Sequence, residues 1–404
     1  MTTAGARRAR AIPFVLGAVA ITGCAHLRNE GAEVALPSPA VRPVNPAPPA
    51  LRPASYARSA QLPIPSGALV CAGGDVMLGS NLDTAWARQA KRVAPFDGFL
   101  PDPDSLLAPL RPMVADADVV LVNVEGAIGE GQAPHKCRPG ATRCYAFRQE
   151  ATVAGALRRF LPGGEVVGNV ANNHAGDAGP LGLEQTVTRL EGAGISVTGA
   201  DTLPTLVPLP SGDTLAVLGF STFSVGLDAR DLAAVQRRVS SAAARFHRVI
   251  VSVHLGAEGI DAQRTRDREE RFVGEDRGNP VAFARAAVEA GASVVFGHGP
   301  HVLRAIEWQG NALVVYSLGN LLTFGPFSLV EPLDRGGFVC ALLDDRGRVF
   351  SAELRPTMQT PPGRAVPDPA GRAWTVVDSL SALDFPATGV RVVDGQLLRR
   401  QPTP

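Results

Sequence analysis

Apolar runs that end, one after another, in a carboxylate, an amide or an imidazole constrain this chain more than any other feature. The runs at 68–71, 119–122, 165–167, 215–220, 249–253, 293–296 and 313–316 read as strands. Between them, 105–114, 151–160, 182–193, 231–246 and 281–290 read as amphipathic helices, two of which end in Ala-Gly at Gly194 and Gly291, as left-handed glycine stops require. Strands alternating with helices predict a layered α/β domain. A turn at Asp345-Arg346-Gly347 between 337–343 and 348–354 predicts a hairpin that closes the sheet or adds a second one.

Open α/β sheets bind their ligands beyond the carboxyl ends of the strands. Asp75 follows the first run, and Asn123 and Glu125 the second. Asn172, Asn173, His174 and Asp177 follow the third. His254, with Glu258 shortly after, ends a later run, and His298 and His301 end the next. A lone aspartate there reads as a helix cap and a lone histidine as a core residue. Four of the seven histidines at strand ends, beside carboxylates and amides, read instead as an oxygen and nitrogen ligand set for a divalent ion such as zinc, manganese or iron. Asp177 either orients His174 or caps the next helix, and Asn320 either closes the pocket or is a turn residue. Arg264, Arg266, Arg268 and Arg271, interrupted by Asp267, Glu269 and Glu270, read as a solvated loop or as a grip for carboxylate or phosphate.

The first residues point to export. Arg7, Arg8 and Arg10 precede an apolar run over 11–21 that is short for a permanent span. It ends in Ile21-Thr22-Gly23-Cys24, which resembles a bacterial lipobox, so 1–24 is expected to be a lipoprotein signal with Cys24 lipidated; the alternative is an ordinary cleaved signal. Proline and alanine dominate 25–66, an extended tether. The folded domain is expected over 67–356 and a C-terminal extension over 357–404. In an oxidising compartment Cys137 and Cys144, which bracket a turn-like sequence, suggest a local disulfide or two free thiols, whereas Cys71 and Cys340 sit in apolar runs and read as simply buried. A formal net charge of +1 supplies no field for nucleic acid, and none is expected as a partner.

These motifs resemble, in order, those of the capsule-synthesis proteins of the CapA or poly-γ-glutamate type, over roughly 68–354. Gly74-Asp75-Val76-Met77, Asn123-Val124-Glu125, Ala171-Asn172-Asn173-His174 with Asp177-Ala178-Gly179, Gly297-His298-Gly299-Pro300-His301-Val302 and Tyr316-Ser317-Leu318-Gly319-Asn320 carry the likeness. The resemblance implies a calcineurin-like metallophosphatase fold: a layered sandwich of mixed β-sheets flanked by helices. It also implies one or two divalent metal ions, with Glu125 bridging, Asp75 and His301 on one ion, Asn173, His254 and His298 on the other, and His174 as general acid or as the donor that stabilises developing charge. Asn123, Asn172, Glu258 and Asn320 are then expected at the substrate. Leu255, Gly259 and Gly299 depart from the family pattern. Met77 stands where such phosphatases carry a histidine, which removes a nitrogen ligand. The expected protein is a lipid-anchored envelope component facing the periplasm or exterior, with the outer membrane preferred. It is read as a metal-dependent hydrolase or transferase in synthesis, export or processing of an anionic polymer such as poly-γ-glutamate, or as a non-catalytic accessory that binds polymer or capsule synthase subunits.

Overall fold

The computed structural model describes residues 67–78, 101–129, 145–325 and 327–400. Cys24, the tether and the Cys137–Cys144 pair lie outside them. β1 (Ala68–Met77), β2 (Val119–Val124) and β3 (Glu165–Asn169) run parallel and adjacent. Their side chains alternate with the two-residue period of a strand. Leu69 and Cys71 enter one core cluster while Val70 and Ala72 enter another. A second sheet is built around β4 (Thr214–Ser221), β5 (Arg248–His254), β6 (Val294–His298) and β7 (Ala312–Val315), again mutually parallel. Back on the first sheet, β8 (Asn320–Thr323) adds to the far end of β1, and the hairpin of β9 (Arg335–Leu343) and β10 (Val349–Thr360) covers its near end antiparallel. The first sheet is therefore mixed, and so is the second, where Thr205–Pro208 on β4 and Ile306–Gln309 on β7 pair antiparallel.

The two sheets face each other across one apolar layer in which Val70, Leu121 and Val167 share a cluster with Val217, Ile250 and Phe296. Helices α1 (Pro103–Leu107), α2 (Thr152–Arg158) and α3 (Gly179–Gly192) cover the outer face of the first sheet. Helices α4 (Leu232–Ala243) and α5 (Pro280–Glu289) cover that of the second. Local chemistry sets the helix limits. Asp231 accepts from Ala234 N–H and Asn279 from Val281 and Ala282 N–H, as N-caps do. Gly194 and Gly291 follow the helices with φ of 81° and 108°. The helix expected over 105–114 is instead a single α turn followed by a 3-10 segment, Ala108–Met113, because Pro109 and Pro112 each lack the N–H that an α-helix needs.

Two sequence expectations change. The boundary at 356 falls inside β10, and the residues beyond it continue the same body: Arg364–Pro367 and Gln396–Arg399 pair with β10, and α6 (Arg372–Asp384) sends Ala373 and Val377 into the inter-sheet core. Cys71 and Cys340 are not simply buried thiols. They are directly opposed on antiparallel β1 and β9, both fully buried, and joined as a disulfide across 269 residues of sequence. Opposed cysteines on adjacent antiparallel strands bring their sulfurs together, a pairing that spacing along the sequence does not reveal. Closing so long a loop is expected to stabilise the fold by about 2–5 kcal/mol. Thiol labelling of the unfolded, unreduced protein should leave Cys71 and Cys340 unmodified, and Cys71→Ala with Cys340→Ala should lower the unfolding midpoint. Labelling of both without reductant would contradict the pairing.

Candidate metal centre

Strand register gathers the polar residues. Asp75 on β1 lies opposite Asn123 on β2, which lies opposite Asn169 on β3, while Asp75 also faces Asn320 on β8. On the second sheet Ser221, His254 and His298 form an equivalent row across β4, β5 and β6. β1 is irregular at this point: its pairing shifts between Ala72 and Asp75 against β2, and between Asp75 and Val76 against β8. Such bulges re-aim a side chain beside a site. Gly74 permits the kink, because a Cβ there would lie 2.0 Å from the Gly319 carbonyl oxygen. The Asp75 N–H donates to that same oxygen at 3.1 Å.

Ligand atoms of Asp75, Glu125 and His301 lie within 4.8 Å of one another. His301 Nδ1 is 3.0 Å from Asp75 Oδ2 and 2.9 Å from Asn320 Oδ1, and its Nε2 faces Glu125 Oε1 at 3.7 Å and Glu258 Oε2 at 3.8 Å. His301 holds a left-handed φ of 60°, a strained value for a non-glycine residue that recurs at functional sites. His298 Nδ1 approaches Asp75 Oδ1 at 3.7 Å. Asn123 joins the two sheets: its amide nitrogen donates to Asp75 Oδ1 at 2.8 Å and lies 3.2 Å from His254 Nδ1. Its oxygen accepts from Asn169 at 3.3 Å and Asn172 at 3.2 Å.

The electrostatics follow from burial. Burial alone would raise Asp75, yet the hydrogen bond and charge of His301, with His254 and His298 nearby, hold it well below the usual carboxylate range. Burial lowers His298 to about 4 against the pull of Asp75, and pushes His254 well down. Burial also opposes the charged form of His301, but Glu125, Asp75 and Glu258 together outweigh it and raise that group well above its ordinary value. Two neutral imidazoles thus stand beside buried anions, as metal ligation requires.

Whether these residues suit a divalent ion is decided by their unsatisfied atoms. His254 Nε2 and both nitrogens of His298 are buried without a hydrogen-bond partner among the described residues, in a protein interior where such orphans are rare. Carboxylate oxygens and imidazole nitrogens complete an oxygen and nitrogen donor set, so the residues fit. The most compact group is the Asp75, Glu125 and His301 set. Met77, where a further nitrogen would be expected, is fully buried and packs with Phe147 and Phe327 as an apolar wall.

The remaining expected residues sort by geometry. Asp177 Oδ2 accepts from the Phe147 N–H and meets His174 Nδ1, each at 2.7 Å, while α3 has no side-chain cap; orientation of His174 wins over capping. His174 Nε2 stands 3.9 Å from Glu125 Oε1, and Asn173 is half-buried beside it in sequence. Asn123 and Asn172 are buried with their amides engaged inside the protein, Asn172 on Asn123, the Val124 carbonyl and the His174 N–H. Both side chains are thus turned into the protein, Asn123 onto Asp75 and Asn172 onto the backbone around it. Asn320 opens β8 and is not a turn residue. Glu258 lies at the rim, held by Arg277 at 2.5 Å. Asn169, Phe147, Phe223 and Arg277 were not singled out in the sequence. The Phe147 ring lies tilted against the His174 ring, centroids 4.1 Å apart, and Phe223, under the Arg277 guanidinium at 4.6 Å, lies edge-on to His254 at 5.8 Å. Only Asn169 carried a signal, as a polar residue ending a strand.

Asn123→Leu removes a partner from Asp75, Asn169 and Asn172 at once. It is expected to cost about 1–3 kcal/mol by denaturant unfolding and to weaken divalent-metal affinity about 10–100-fold by calorimetry. Unchanged values for both would contradict its bridging role.

With this geometry in view, the sequence matches the family described as bacterial capsule synthesis protein PGA_cap over residues 69–324. The PGA biosynthesis protein CapA of Bacillus subtilis is 30% identical over 171 residues, 38% of this chain and 41% of that protein. The capsule biosynthesis protein CapA of Bacillus anthracis is 27% identical over 178 residues, 39% of this chain and 40% of that one. The matched stretch thus spans about two fifths of either Bacillus protein. A Mycobacterium tuberculosis protein named "Probable polyglutamine synthesis accessory protein" is 27% identical over 306 residues, 64% of this chain and 75% of that protein. The matched residues include every strand end that carries the cluster, and the chain belongs to the bacterial capsule synthesis protein family, whose fold is metallophosphatase-like.

Proposed function

We propose that the chain is a metal-dependent hydrolase of the cell envelope that processes an anionic polymer of the poly-γ-glutamate type during capsule synthesis or export. The observation that carries this reading is the buried Asp75, Glu125 and His301 group beside the unsatisfied nitrogens of His254 and His298. Family membership and the capsule-related names of the relatives support the polymer. A divalent ion bound there supplies Lewis-acid stabilisation of negative charge developing on a carbonyl or phosphoryl group. Asp75, Glu125 and His301 would hold one ion, and His254, His298 and Asn173 a second.

The protein's own residues do the rest. Asp177 fixes His174 with Nδ1 engaged, so Nε2 is the atom that holds or releases a proton toward the site. The Phe147 ring against His174, continued by Met77 and Phe327, keeps water from that side and strengthens the charged contacts within. Glu258, fixed by Arg277, sets the charge at the rim. A second reading, a polymer-binding accessory that uses the same pocket without turnover, is favoured by one observation: Met77 closes the site with an apolar wall where a further ligand would stand.

We further propose attachment to a membrane through a lipid on Cys24, with the domain facing the periplasm or exterior. No helix among the described residues is long and apolar enough to cross a membrane.

Elemental analysis of purified protein should find a divalent metal, lost on His301→Ala and on chelation. His174→Ala should keep the metal and lose about 10²–10⁴-fold in turnover of γ-glutamyl or phosphodiester substrates. Metal retention without hydrolysis of either substrate would turn the reading to the accessory role, and absence of metal would end it. For the anchor, Cys24→Ser should move the protein from the membrane fraction to the soluble one; continued membrane attachment would contradict lipidation at that residue.

A further inference from the structure

Immediately beyond the metal centre the loop after β5 walls a cavity of about 320 Å³ whose charged lining is dominated by Arg264, Arg266, Arg268, Arg271 and Arg304. Three of these are committed. Arg304 is buried and grips Glu270 with two nitrogens, at 3.0 and 2.8 Å, Arg264 meets Asp384 at 2.5 Å and Arg271 meets Glu269 at 2.9 Å. Arg266 and Arg268 are exposed, and their guanidinium groups make no ion pair or hydrogen bond among the described residues. Of the lining carboxylates, Glu269 and Glu270 are spoken for by these pairs, which leaves Asp261 against two unmatched arginines.

The floor of the cavity is built to hold its shape. Glu270 Oε2 accepts from the Ala257 N–H at 2.7 Å, and Arg304 Nη2 donates to the Ala257 carbonyl at 3.2 Å. Gly256, with φ of 98°, lets this arrangement close, since a Cβ there would lie 3.1 Å from Arg304 Nη1. Ala257 therefore lines the cavity, while Glu258, the next residue, faces His301 at 3.8 Å. The cavity lining and the rim of the metal centre thus share consecutive residues of one loop.

We propose that this cavity is an anion subsite, in which Arg266 and Arg268 grip a carboxylate of a polyanionic chain whose neighbouring unit lies at the metal centre. The planar guanidinium fork matches a carboxylate in two hydrogen bonds and retains its charge in any accessible pH range. The subsite rests on the polymer reading above for the identity of the chain. A carboxylate and a phosphate present the same chemistry to two arginines, and the choice between them is left to measurement.

The experiment is equilibrium binding of a γ-linked glutamate oligomer, and separately of an oligophosphate, to the full chain and to Arg266→Ala with Arg268→Ala. Arg391→Ala, an exposed arginine away from the cavity, serves as control. Thermal unfolding and metal content report on folding and on the centre. The double variant is expected to lose about tenfold or more in affinity at low salt, with metal content, unfolding midpoint and the control unchanged, and the loss is expected to shrink as salt rises. Binding of the glutamate oligomer by the double variant as tightly as by the unsubstituted protein overturns the subsite while leaving the polymer reading intact. The same loss seen with the oligophosphate alone keeps the subsite and removes the polymer reading. No binding of either anion by the unsubstituted protein overturns the subsite.

Discussion

A carboxylate buried as completely as Asp75 costs several kcal/mol unless its charge is answered nearby, and most of the site is arranged around that answer. One oxygen takes the Asn123 amide and the other meets His301, while the backbone of Asp75 is held on the Gly319 carbonyl. Glu125, equally buried, adds a second charge that His301 partly meets at 3.7 Å. His301 thus stands between two buried carboxylates, while Glu258 close by is answered by Arg277.

Strand register makes this arrangement possible. β1, β2 and β3 deliver Asp75, Asn123 and Asn169 side by side, and β5 and β6 deliver His254 and His298 from the facing sheet. A one-residue slip in either sheet would turn these groups to the opposite face, into a helix-lined apolar layer. The inter-sheet core shared by Val70, Leu121, Ile250 and Phe296 holds the two rows in mutual position. The Cys71–Cys340 bridge ties β1 to β9 four residues before Asp75, on the face opposite that core. Framework and site thus meet in one strand.

Much of this was legible in the sequence because it is periodic or terminal. Apolar runs located the central strands of both sheets, and polar residues at their ends located Asp75, Glu125, His254, His298 and His301. The metallophosphatase-like sandwich followed from motif order. What was not legible depends on pairing between distant segments. The disulfide needs β1 and β9 to be antiparallel and in register. The hub role of Asn123 needs both neighbours, so the sequence placed it at the substrate. Phe147 and Phe223 belong to segments without periodicity, and only the fold puts them against His174 and His254. The residues after 356 read poorly because prolines interrupt them, yet their helix and strands complete the first sheet and its core.

The central claim, that the strand ends form a divalent-metal centre, is tested most directly by locating the metal. Crystals of the protein equilibrated with manganese or zinc, measured at the absorption edge of that metal, should give an anomalous peak among Asp75, Glu125 and His301, with any second peak beside His254 and His298. Peaks confined to surface carboxylates, with the cluster side chains unmoved and no density between them, would contradict the account.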